Sequence, residues 1–405
     1  MAAPTTTGGS AAGGSSARGT GGDSTPFRVM VVDDSAVVRG LVTRFLQEDP
    51  QLTVAASCGN GQRAVDELKR TPVDVIVLDI EMPVMDGLTA LPKLLEVQPG
   101  VQIVMASTLT RSNADVSLKA MAAGAADYLA KPSSTGGLHG TGTYQQELRT
   151  KVKALAQQHR RNRGGKSLGP VRPQAHGEAK SASASARPAG PGARPAGASG
   201  DGEIKLRAMP SVRPEVLAIG SSTGGPQALF KFLGGLGPIA QPVLITQHMP
   251  ATFTALLADH IGRQTKLTCS EGRDGDPVVG GHVYIAPGGK HMTVEKDPGG
   301  KVRIKLDDGP PENFCKPSVD PMLRSLSRVY GGRLLTVILT GMGSDGLQGS
   351  EVAVKAGAHV LAQDEATSVV WGMPRAVAKA GLCSAVLPLG ELATAVQKLI
   401  VRNAA

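Results

Sequence analysis

Short aliphatic runs recur along two separate parts of the chain, and each run ends in polar residues. In the first part we predict five β-strands, at 28–32, 52–56, 73–78, 103–106 and 127–130. Segments with apolar residues three or four apart, the spacing of an amphipathic helix, follow the first two runs. Strands that alternate with helices form a doubly wound parallel sheet. We therefore predict a five-stranded parallel α/β domain over residues 26–148.

Five polar residues of this first part stand at the ends of its strands. Asp33 and Asp34 follow the first strand, Asp79 ends the third, Ser107 the fourth and Lys131 the fifth. In a parallel sheet these ends share one edge, so three carboxylates would be crowded together. Such a group needs a cation, and hard oxygen ligands suit Mg²⁺. An Asp-Asp pair can also cap a helix and a Lys-Pro can form a turn, but five residues so placed indicate a site.

The second part carries aliphatic runs at 216–219, 243–246, 283–286, 334–339, 358–362 and 385–387. They predict a second α/β domain with a mainly parallel sheet, over residues 214–402. Its first run stops at a G-x-S-x-G sequence, with Ser222 at the centre, which leads into helical spacing. There the serine hydroxyl is exposed and the amide of Thr223 is placed to stabilise an oxyanion. On this turn alone, a nucleophile, an anion site and a turn without chemistry remain equal alternatives.

A serine nucleophile needs an imidazole to take its proton and a carboxylate to orient that imidazole. Of the eight histidines, His248 and His291 each follow a predicted strand of the second part. Ser222, His248 and Asp345 all fall immediately beyond predicted strands, so a parallel sheet can bring them to one edge. His291 is the reserve base. A P-loop is disfavoured because the turn has no Lys-Ser/Thr.

Residues 341–346 offer a competing interpretation. They form a G-x-G-x-x-G sequence after a strand, and Asp364 lies 18 residues beyond its last glycine, as in a dinucleotide-binding fold. Such a fingerprint normally opens its domain, whereas this one comes late and leaves little chain for a second half. It is therefore weak evidence for a dinucleotide.

Two segments lack the composition of a packed core. Residues 1–25 are of low complexity, and residues 149–213 are rich in Ala, Pro, Gly, Ser and Arg, so we predict a disordered extension and a disordered basic linker. Between Lys151 and Arg213 there are 13 Lys and Arg against 3 Asp and Glu, a net of +10 in a chain of +9, which leaves −1 for the remainder. With 3% aromatic residues as well, a nucleic-acid-binding fold is disfavoured.

Cellular location is constrained by what the sequence lacks. The longest apolar runs are strand-sized, so we expect no membrane insertion. The first 25 residues have neither a basic start nor a bulky apolar centre and do not look like a secretory signal. Four widely spaced cysteines without a C-x-x-C pair favour free thiols in a reducing compartment, so a cytoplasmic protein is expected.

Residues 27–148 resemble a response-regulator receiver domain. The matching sequences are V-D-D-S at 32–35, L-D-I-E-M-P-V-M-D-G at 78–87, Ser107 and Lys131-Pro132. The resemblance implies that Asp79 is the phosphoacceptor. It also implies further roles, namely Mg²⁺ ligands at Asp33, Asp34, Asp79 and the backbone carbonyl of Glu81, a phosphoryl contact from Lys131, and switch residues at Ser107 and Tyr128.

Residues 214 to about 400 resemble the catalytic domain of CheB-type protein-glutamate methylesterases. The matching sequences are A-I-G-S-S-T-G-G-P at 218–226, I-T-Q-H-M-P at 245–250, Y-I-A-P-G-G-K-H-M at 284–292, L-T-G-M-G-S-D-G at 339–346 and A-Q-D-E-A-T-S at 362–368. By this resemblance Ser222 is the nucleophile, His248 the general base and acid, and Asp345 its orienting carboxylate. The amides of Thr223 and Met342 would form the oxyanion hole. The order Ser…His…Asp is not that of α/β-hydrolases, so G-x-S-x-G does not imply that fold.

The implied protein is a phosphorylation-regulated serine esterase that needs no cofactor for its esterase reaction. It would hydrolyse glutamate 5-O-methyl esters on methyl-accepting chemotaxis receptors, release methanol and also deamidate receptor glutamines. A CheA-type histidine kinase would phosphorylate Asp79 and so relieve blockage by the receiver. The linker is longer than expected of the family, which raises the entropic cost of that blockage. The rival interpretation is a regulator whose second domain only binds a partner.

Overall fold

The structure is a computed structural model that describes residues 25–108, 110–131, 137–164, 204–209 and 212–401, without the side chains of 137–141 and 143. The predicted extension, apart from Thr25, and most of the predicted linker lie outside these residues. The described part contains a five-stranded sheet, a seven-stranded sheet and a separate two-stranded one. Across the described ranges, no helix has the length and apolarity needed to traverse a bilayer.

The N-terminal domain is the predicted parallel sheet, with strand order β2-β1-β3-β4-β5. Its elements in chain order are β1 (Phe27–Val32), α1 (Ala36–Gln47), β2 (Leu52–Cys58), α2 (Gly61–Leu68), β3 (Val75–Asp79), α3 (Gly87–Val97), β4 (Gln102–Ser107), α4 (Arg111–Ala122), β5 (Asp127–Ala130) and α5 (Gly137–Asn162). The central strand β3 is buried at every position, as its unbroken aliphatic sequence predicts. The predicted five-stranded α/β fold is confirmed.

Helix α5 enters the segment that was predicted to be linker. The helix continues to Asn162, so the prediction that residues 149–213 are a disordered linker is wrong for residues 149–162. The helix packs on the sheet through four fully buried residues, Leu148, Val152, Leu155 and Ala156. Their spacing of four, three and one places them on one face of a helix. Lys and Arg residues on its other faces gave this stretch the composition of a linker and concealed its helical periodicity.

The C-terminal domain is built on seven strands in the order β14-β13-β12-β6-β7-β9-β8, and every neighbouring pair is parallel. The sheet elements and their helices are β6 (Val216–Ser221), α6 (Gly225–Leu236), β7 (Val243–Gln247), α7 (Ala251–Thr265), β8 (Thr268–Glu271), β9 (His282–Ile285), α8 (Val319–Tyr330), β12 (Leu334–Ile338), α9 (Leu347–Lys355), β13 (His359–Gln363), α10 (Met373–Lys379), β14 (Cys383–Leu387) and α11 (Leu389–Val401). The mainly parallel sheet is confirmed.

Three strands were not predicted from the sequence. β8 is a short edge strand, and β10 (His291–Lys296) and β11 (Val302–Asp307) form an antiparallel hairpin outside the main sheet. Their alternation of apolar and polar residues is short and interrupted, so it gave a weak signal. The hairpin covers one side of the C-terminal domain, where Met292, Val294 and Ile304 join its core.

The two domains pack directly against each other. Helix α4 of the N-terminal domain contacts α6 and α7 of the C-terminal domain. The Tyr128 ring stacks on Phe253, with ring centroids 4.4 Å apart and planes inclined by 20°. Asp115 Oδ1 lies 2.8 Å from His260 Nε2, and Gln227 donates to the carbonyls of Met121 and Ala125. The helix that follows the Ser222 turn is therefore held by the N-terminal domain.

Candidate active site

The strand β6 ends at Ser221, and Ser222 begins a tight turn into α6. The Ser222 amide donates to the carbonyl of Thr340 at 3.0 Å, which ties this turn to the loop after β12. The Gly225 amide donates to the Ser222 carbonyl at 2.7 Å and closes the turn. The predicted strand–turn–helix context of the G-x-S-x-G sequence is present, and Ser222 is partly exposed.

Two glycines make this turn possible. Gly224 has a φ of 73°, in the left-handed region, and a Cβ there would lie 2.5 Å from Cβ of Val369. A Cβ on Gly225 would lie 2.0 Å from Oε1 of Gln247. The Gln247 amide accepts from Ser221 Oγ at 2.7 Å and donates to the Ser222 carbonyl at 2.9 Å. Gln247 thus holds both Ser221 and the backbone carbonyl of Ser222, and this fixes the turn that carries the Ser222 hydroxyl.

His248 lies beside Ser222 because of strand register. β6 and β7 are adjacent parallel strands in which Ser221 pairs with Gln247, so the next residue of each strand is Ser222 and His248. The His248 amide donates to the Ser221 carbonyl at 3.2 Å. Adjacent strands are about 4.8 Å apart, which places the serine and the imidazole side by side at the carboxyl edge.

Asp345 orients the imidazole. His248 Nε2 lies 2.7 Å from Asp345 Oδ2, and the carboxylate is almost fully buried. Asp345 follows β12, the neighbour of β6 on its other side, so three central strands supply the three side chains. The structure therefore brings Ser222, His248 and Asp345 to the carboxyl edge of the sheet, as the sequence predicted. The imidazole of His248 is hydrogen-bonded to the carboxylate of Asp345.

The Asp345 carboxylate accepts six hydrogen bonds. Besides His248, its donors are the side chains of Asn313 and Ser318 and the amides of Val319, Asp320 and Gly346, at 2.7–3.2 Å. Val319 and Asp320 open α8, so the positive end of that helix faces the carboxylate. Burial opposes ionisation, but the hydrogen bond from His248 and those from Val319 and Ser318 outweigh it and lower the pKa of Asp345.

A second buried carboxylate, Asp320, lies beside Asp345 without touching His248. Its oxygens accept from the Gly349 amide at 2.6 Å and from Asn313 Nδ2 at 2.9 Å. Burial raises the pKa of Asp320, and the charge of Asp345 raises it further. The surroundings thus shift the pKa values of the two neighbouring carboxyl groups in opposite directions, and Asp345 is the one kept ionised.

The other nitrogen of the imidazole faces a cysteine. His248 Nδ1 lies 3.2 Å from Cys315 Sγ, and across the described residues no hydrogen bond joins Ser222 Oγ to the ring. Burial disfavours the imidazolium form of His248, yet the bonds to Asp345 and Cys315 raise its pKa to about 9. Nδ1 is the nitrogen left to accept a proton from Ser222, so Cys315 occupies the position that the serine hydroxyl would use.

His291, the reserve base, does not reach the serine. It is the first residue of β10 and is buried. Its Nε2 lies 3.0 Å from the Pro310 carbonyl, and its Nδ1 accepts from the Ser318 amide at 3.1 Å. Both ring nitrogens are therefore used to hold the segment that carries Ser318, and the prediction of His291 as a reserve base is wrong.

The predicted oxyanion residues border the serine. Thr223 is buried, and its carbonyl accepts from Thr340 Oγ1 at 2.9 Å. Met342 follows Gly341, where a Cβ would lie 2.9 Å from Cβ of Ser222. The glycines of the G-x-G-x-x-G sequence thus permit close packing on Ser222 and the start of α9 at Gly346, which has a φ of 90°. They serve the serine site, and in the described chain beyond α9 only β13, α10, β14 and α11 follow, too few elements for the second half of a dinucleotide fold.

The polar residues of the N-terminal domain also converge. Ligand atoms of Asp33, Asp34 and Asp79 lie within 4.8 Å of one another. Lys131 Nζ lies 2.7 Å from both Asp33 Oδ2 and Asp79 Oδ1. Burial raises the pKa of Asp79, although Lys131 opposes this. A cluster of carboxylate oxygens in this geometry suits Mg²⁺, so the residues fit that ion.

Ser107 and Tyr128 lie on the two strands next to this cluster. Ser107 is buried, and its hydroxyl is 3.1 Å from that of Ser117 in α4. Tyr128 is buried in the interface with the C-terminal domain, where its ring contacts Phe253. Glu81 is exposed just beyond β3. The sequence placed these residues at the correct edge, but it gave no sign that Tyr128 bridges the two domains.

A cleft between the two domains lies beside the loop that carries Met342. It is lined by Phe27, Ala154 and Arg160 of the N-terminal domain and by Met342 and Trp371 of the C-terminal domain, among others. Arg161 of α5 also pairs with Glu365 across it. The N-terminal domain therefore borders the Met342 loop on one side and, through Gln227, the Ser222 turn on another.

Comparison with known proteins agrees with this architecture. The family model for the CheB methylesterase matches residues 217–396, and that for the response regulator receiver domain matches residues 29–141. A protein-glutamate methylesterase/protein-glutamine glutaminase of Rhodospirillum centenum is 55% identical over 388 residues, 96% of this chain and 97% of the relative. One of Azospirillum brasilense is 54% identical over 386 residues, 95% of each chain.

Among solved structures, the CheB methylesterase catalytic domain of Thermotoga maritima is 37% identical and covers 46% of this chain and 100% of its own, with a TM-score of 0.44. The relatives at about half identity align with this chain over nearly its whole length, across both domains. With its receiver-like sheet, its serine edge and these full-length relatives, the chain belongs to the CheB family of response-regulator methylesterases.

Proposed function

We propose that this chain is a protein-glutamate methylesterase and protein-glutamine glutaminase that acts on chemotaxis receptors and is regulated by phosphorylation. The full-length relatives of that name support the reaction class. The observation that carries the proposal is the 2.7 Å bond between His248 Nε2 and Asp345 Oδ2 beside Ser222. The receptor glutamates lie on cytoplasmic helices, so the reaction takes place in the cytoplasm.

In the proposed reaction Ser222 Oγ attacks the carbonyl carbon of a glutamate γ-methyl ester while His248 Nδ1 takes its proton. The amides of Thr223 and Met342 stabilise the oxyanion of the tetrahedral intermediate. Its collapse breaks the bond to the methoxy group, which leaves as methanol with the proton from His248. Water then attacks the acyl-enzyme with His248 again as base, and glutamate and free Ser222 result.

A glutamine side chain can follow the same route and release ammonia in place of methanol. The same acyl-enzyme forms, because only the leaving group differs. Asp345 stays ionised throughout and stabilises the imidazolium that forms in each step. The six hydrogen bonds that surround its carboxylate support this role.

We further propose that Asp79 is phosphorylated by a CheA-type histidine kinase. Mg²⁺, when bound, offsets the charge of the carboxylates and of the incoming phosphoryl group. Asp33, Asp34, Asp79 and the backbone carbonyl of Glu81 would hold it. Lys131 is already within hydrogen-bond distance of Asp79 and would contact a phosphoryl oxygen there.

The packing of the two domains supports regulation by the receiver. Tyr128 is buried against Phe253, and Gln227 next to the serine turn donates to receiver carbonyls. A phosphoryl group on Asp79 would draw Ser107 and Tyr128 toward it and break the stacking contact. Release of this face would then open the approach to Ser222 for a receptor helix.

The test is methanol release from methylated chemoreceptor in membranes. Wild type and Ser222→Ala are compared before and after treatment with a small phosphodonor and Mg²⁺. We expect Ser222→Ala to lose at least about 10³-fold in rate and the stimulation by phosphodonor to vanish in Asp79→Asn. A Ser222→Ala variant with full activity would remove Ser222 as nucleophile. No release from phosphorylated wild type would favour the interpretation as a binding-only regulator.

A further inference from the structure

The side chain of Phe314 is fully exposed at the active site, on a turn formed by residues 312–315. Of the exposed large hydrophobic residues in the described part of the chain, it is the one aromatic residue. An aromatic ring offers a large apolar area, and its exposure to water is unfavourable. The ring of Phe314 therefore adds no buried apolar area to the fold, whereas the rings of Phe232 and Phe253 are fully buried.

The backbone at Phe314 is also strained. Asn313 and Phe314 have φ angles of 52° and 63°, both in the left-handed region. Glu312 and Cys315 exchange two backbone hydrogen bonds, at 3.1 and 2.8 Å, so these four residues form a two-residue hairpin turn with positive φ at both central positions. Such turns favour Asn followed by Gly. Asn stands at the first position here, but Phe stands where Gly is preferred.

The other three residues of the turn are held in place, two of them by the triad and the third by Arg324. Asn313 Nδ2 donates to Asp345 Oδ1 at 3.0 Å, and Cys315 Sγ lies 3.2 Å from His248 Nδ1. Glu312 accepts from both terminal nitrogens of Arg324 in α8. Phe314 is therefore fixed between two residues that contact His248 or Asp345, and within the described ranges no side chain covers its ring.

We propose that Phe314 is a substrate-docking residue that packs against the apolar surface of a receptor helix beside the methylated glutamate. This rests on the proposed function above. A glutamate side chain is short, so its entry to Ser222 brings the helix itself to the rim of the site. Residues three or four positions from that glutamate lie on the same helix face and meet Phe314. The turn holds Asn313 and Cys315 against the triad, but that role does not require a ring at Phe314, where Gly would suit the backbone better. An aromatic residue kept at a strained position beside the site therefore points to a role of the ring in function.

The docking residue stays available in the packed arrangement of the two domains. Phe314 is fully exposed although the receiver covers the helix after the Ser222 turn. The receiver therefore restricts access to the serine and leaves the ring open to the substrate. We expect the loss of Phe314 to weaken receptor binding in the phosphorylated and unphosphorylated protein alike.

The experiment compares a protein substrate with a small ester. Phe314→Gly removes the ring and suits the left-handed backbone, so its thermal stability should equal or exceed that of wild type. On methylated receptor we expect KM to rise about tenfold, the loss typical of a well-packed interface aromatic, with kcat little changed. Acylation of Ser222 by p-nitrophenyl acetate, which has no helix, should be unchanged. Phe314→Leu should restore most of the receptor activity.

The matched control is Val279→Ala, an exposed apolar residue at the opposite edge of the sheet, which should alter neither substrate's turnover. Equal KM for receptor in wild type and Phe314→Gly would overturn the docking proposal alone. A parallel loss on both substrates would overturn it too, because the effect would then act through His248 or Asp345. Wild type that cleaves p-nitrophenyl acetate but releases no methanol from receptor would overturn the proposed function and the docking proposal together.

Discussion

Replacement of Asp345 by asparagine should inactivate the esterase by inverting the tautomer of His248. The new amide group must point its NH₂ at one of two positions. An NH₂ group at the Oδ1 position would meet the three N–H donors that Oδ1 now accepts from, those of Asn313, Asp320 and Gly346. At the Oδ2 position it would meet only the Val319 amide and His248 Nε2. Each buried donor left unpaired costs about 1–3 kcal/mol, so NH₂ at Oδ2 is favoured.

In that orientation His248 Nε2 must accept a hydrogen bond, and the ring proton moves to Nδ1. Nδ1 can then no longer take the proton of Ser222. The loss of the carboxylate also removes the stabilisation of the imidazolium. We expect kcat to fall by about 10³–10⁴-fold, roughly 4–5 kcal/mol in activation free energy. One unpaired amide should lower the free energy of unfolding by only about 1–3 kcal/mol.

The assay is methanol release from methylated receptor by the phosphorylated full chain, with thermal unfolding measured in parallel. Asp320→Asn is the matched control, because it makes the same chemical change beside the same network without touching His248. We expect it to cost less than about tenfold. A folded Asp345→Asn variant with kcat within tenfold of wild type would refute the assignment of the proton to Nδ1 and the role of Asp345.

Two further predictions concern pH and regulation. Because the pKa of His248 is raised to about 9, the imidazolium dominates at neutral pH, and kcat/KM should rise with pH and level off above about 9. Cys315→Ala removes one contact that raises this pKa, so the midpoint should move to lower pH; an unmoved midpoint would contradict the contact. Asp115→Ala removes the hydrogen bond to His260 across the interface, so unphosphorylated activity should rise about two- to tenfold while phosphorylated activity stays constant. Equal unphosphorylated activity would contradict a contribution of this contact to the blockage.

The residues that meet at the carboxyl edge of each sheet could be predicted from the sequence, because their position depends only on the residues next to them in the chain. An aliphatic run followed by a polar residue marks the carboxyl end of a strand, and parallel pairing then brings these ends together. Ser222, His248 and Asp345 met for this reason, although they are separated by 26 and 97 residues along the chain. The same rule grouped Asp33, Asp79 and Lys131.

The surroundings of the triad could not be predicted in this way. Asn313, Cys315 and Ser318 belong to a segment without helical or strand periodicity, and their contacts arise only when that segment folds over Asp345. His291 shows the complementary error, since its position after a strand resembled that of a base while tertiary packing used both of its nitrogens. For α5, the charged composition outweighed a helical repeat that Leu148, Val152 and Leu155 carry.

The stacking of Tyr128 on Phe253 restricts how this protein can be recombined. Tyr128 lies on the strand next to the cluster of Asp33, Asp34 and Asp79 and also contacts the catalytic domain. Under the proposed regulation, one side chain would therefore take part both in sensing the phosphoryl group and in controlling the esterase. A receiver from another regulator grafted onto this catalytic domain would keep its phosphorylation chemistry. Under the proposed regulation, its control of the esterase would require a ring on its equivalent of β5 that fits Phe253, together with partners for Gln227 and His260. Under the proposed regulation, exchange of either domain would therefore require the contact at Phe253 to be preserved.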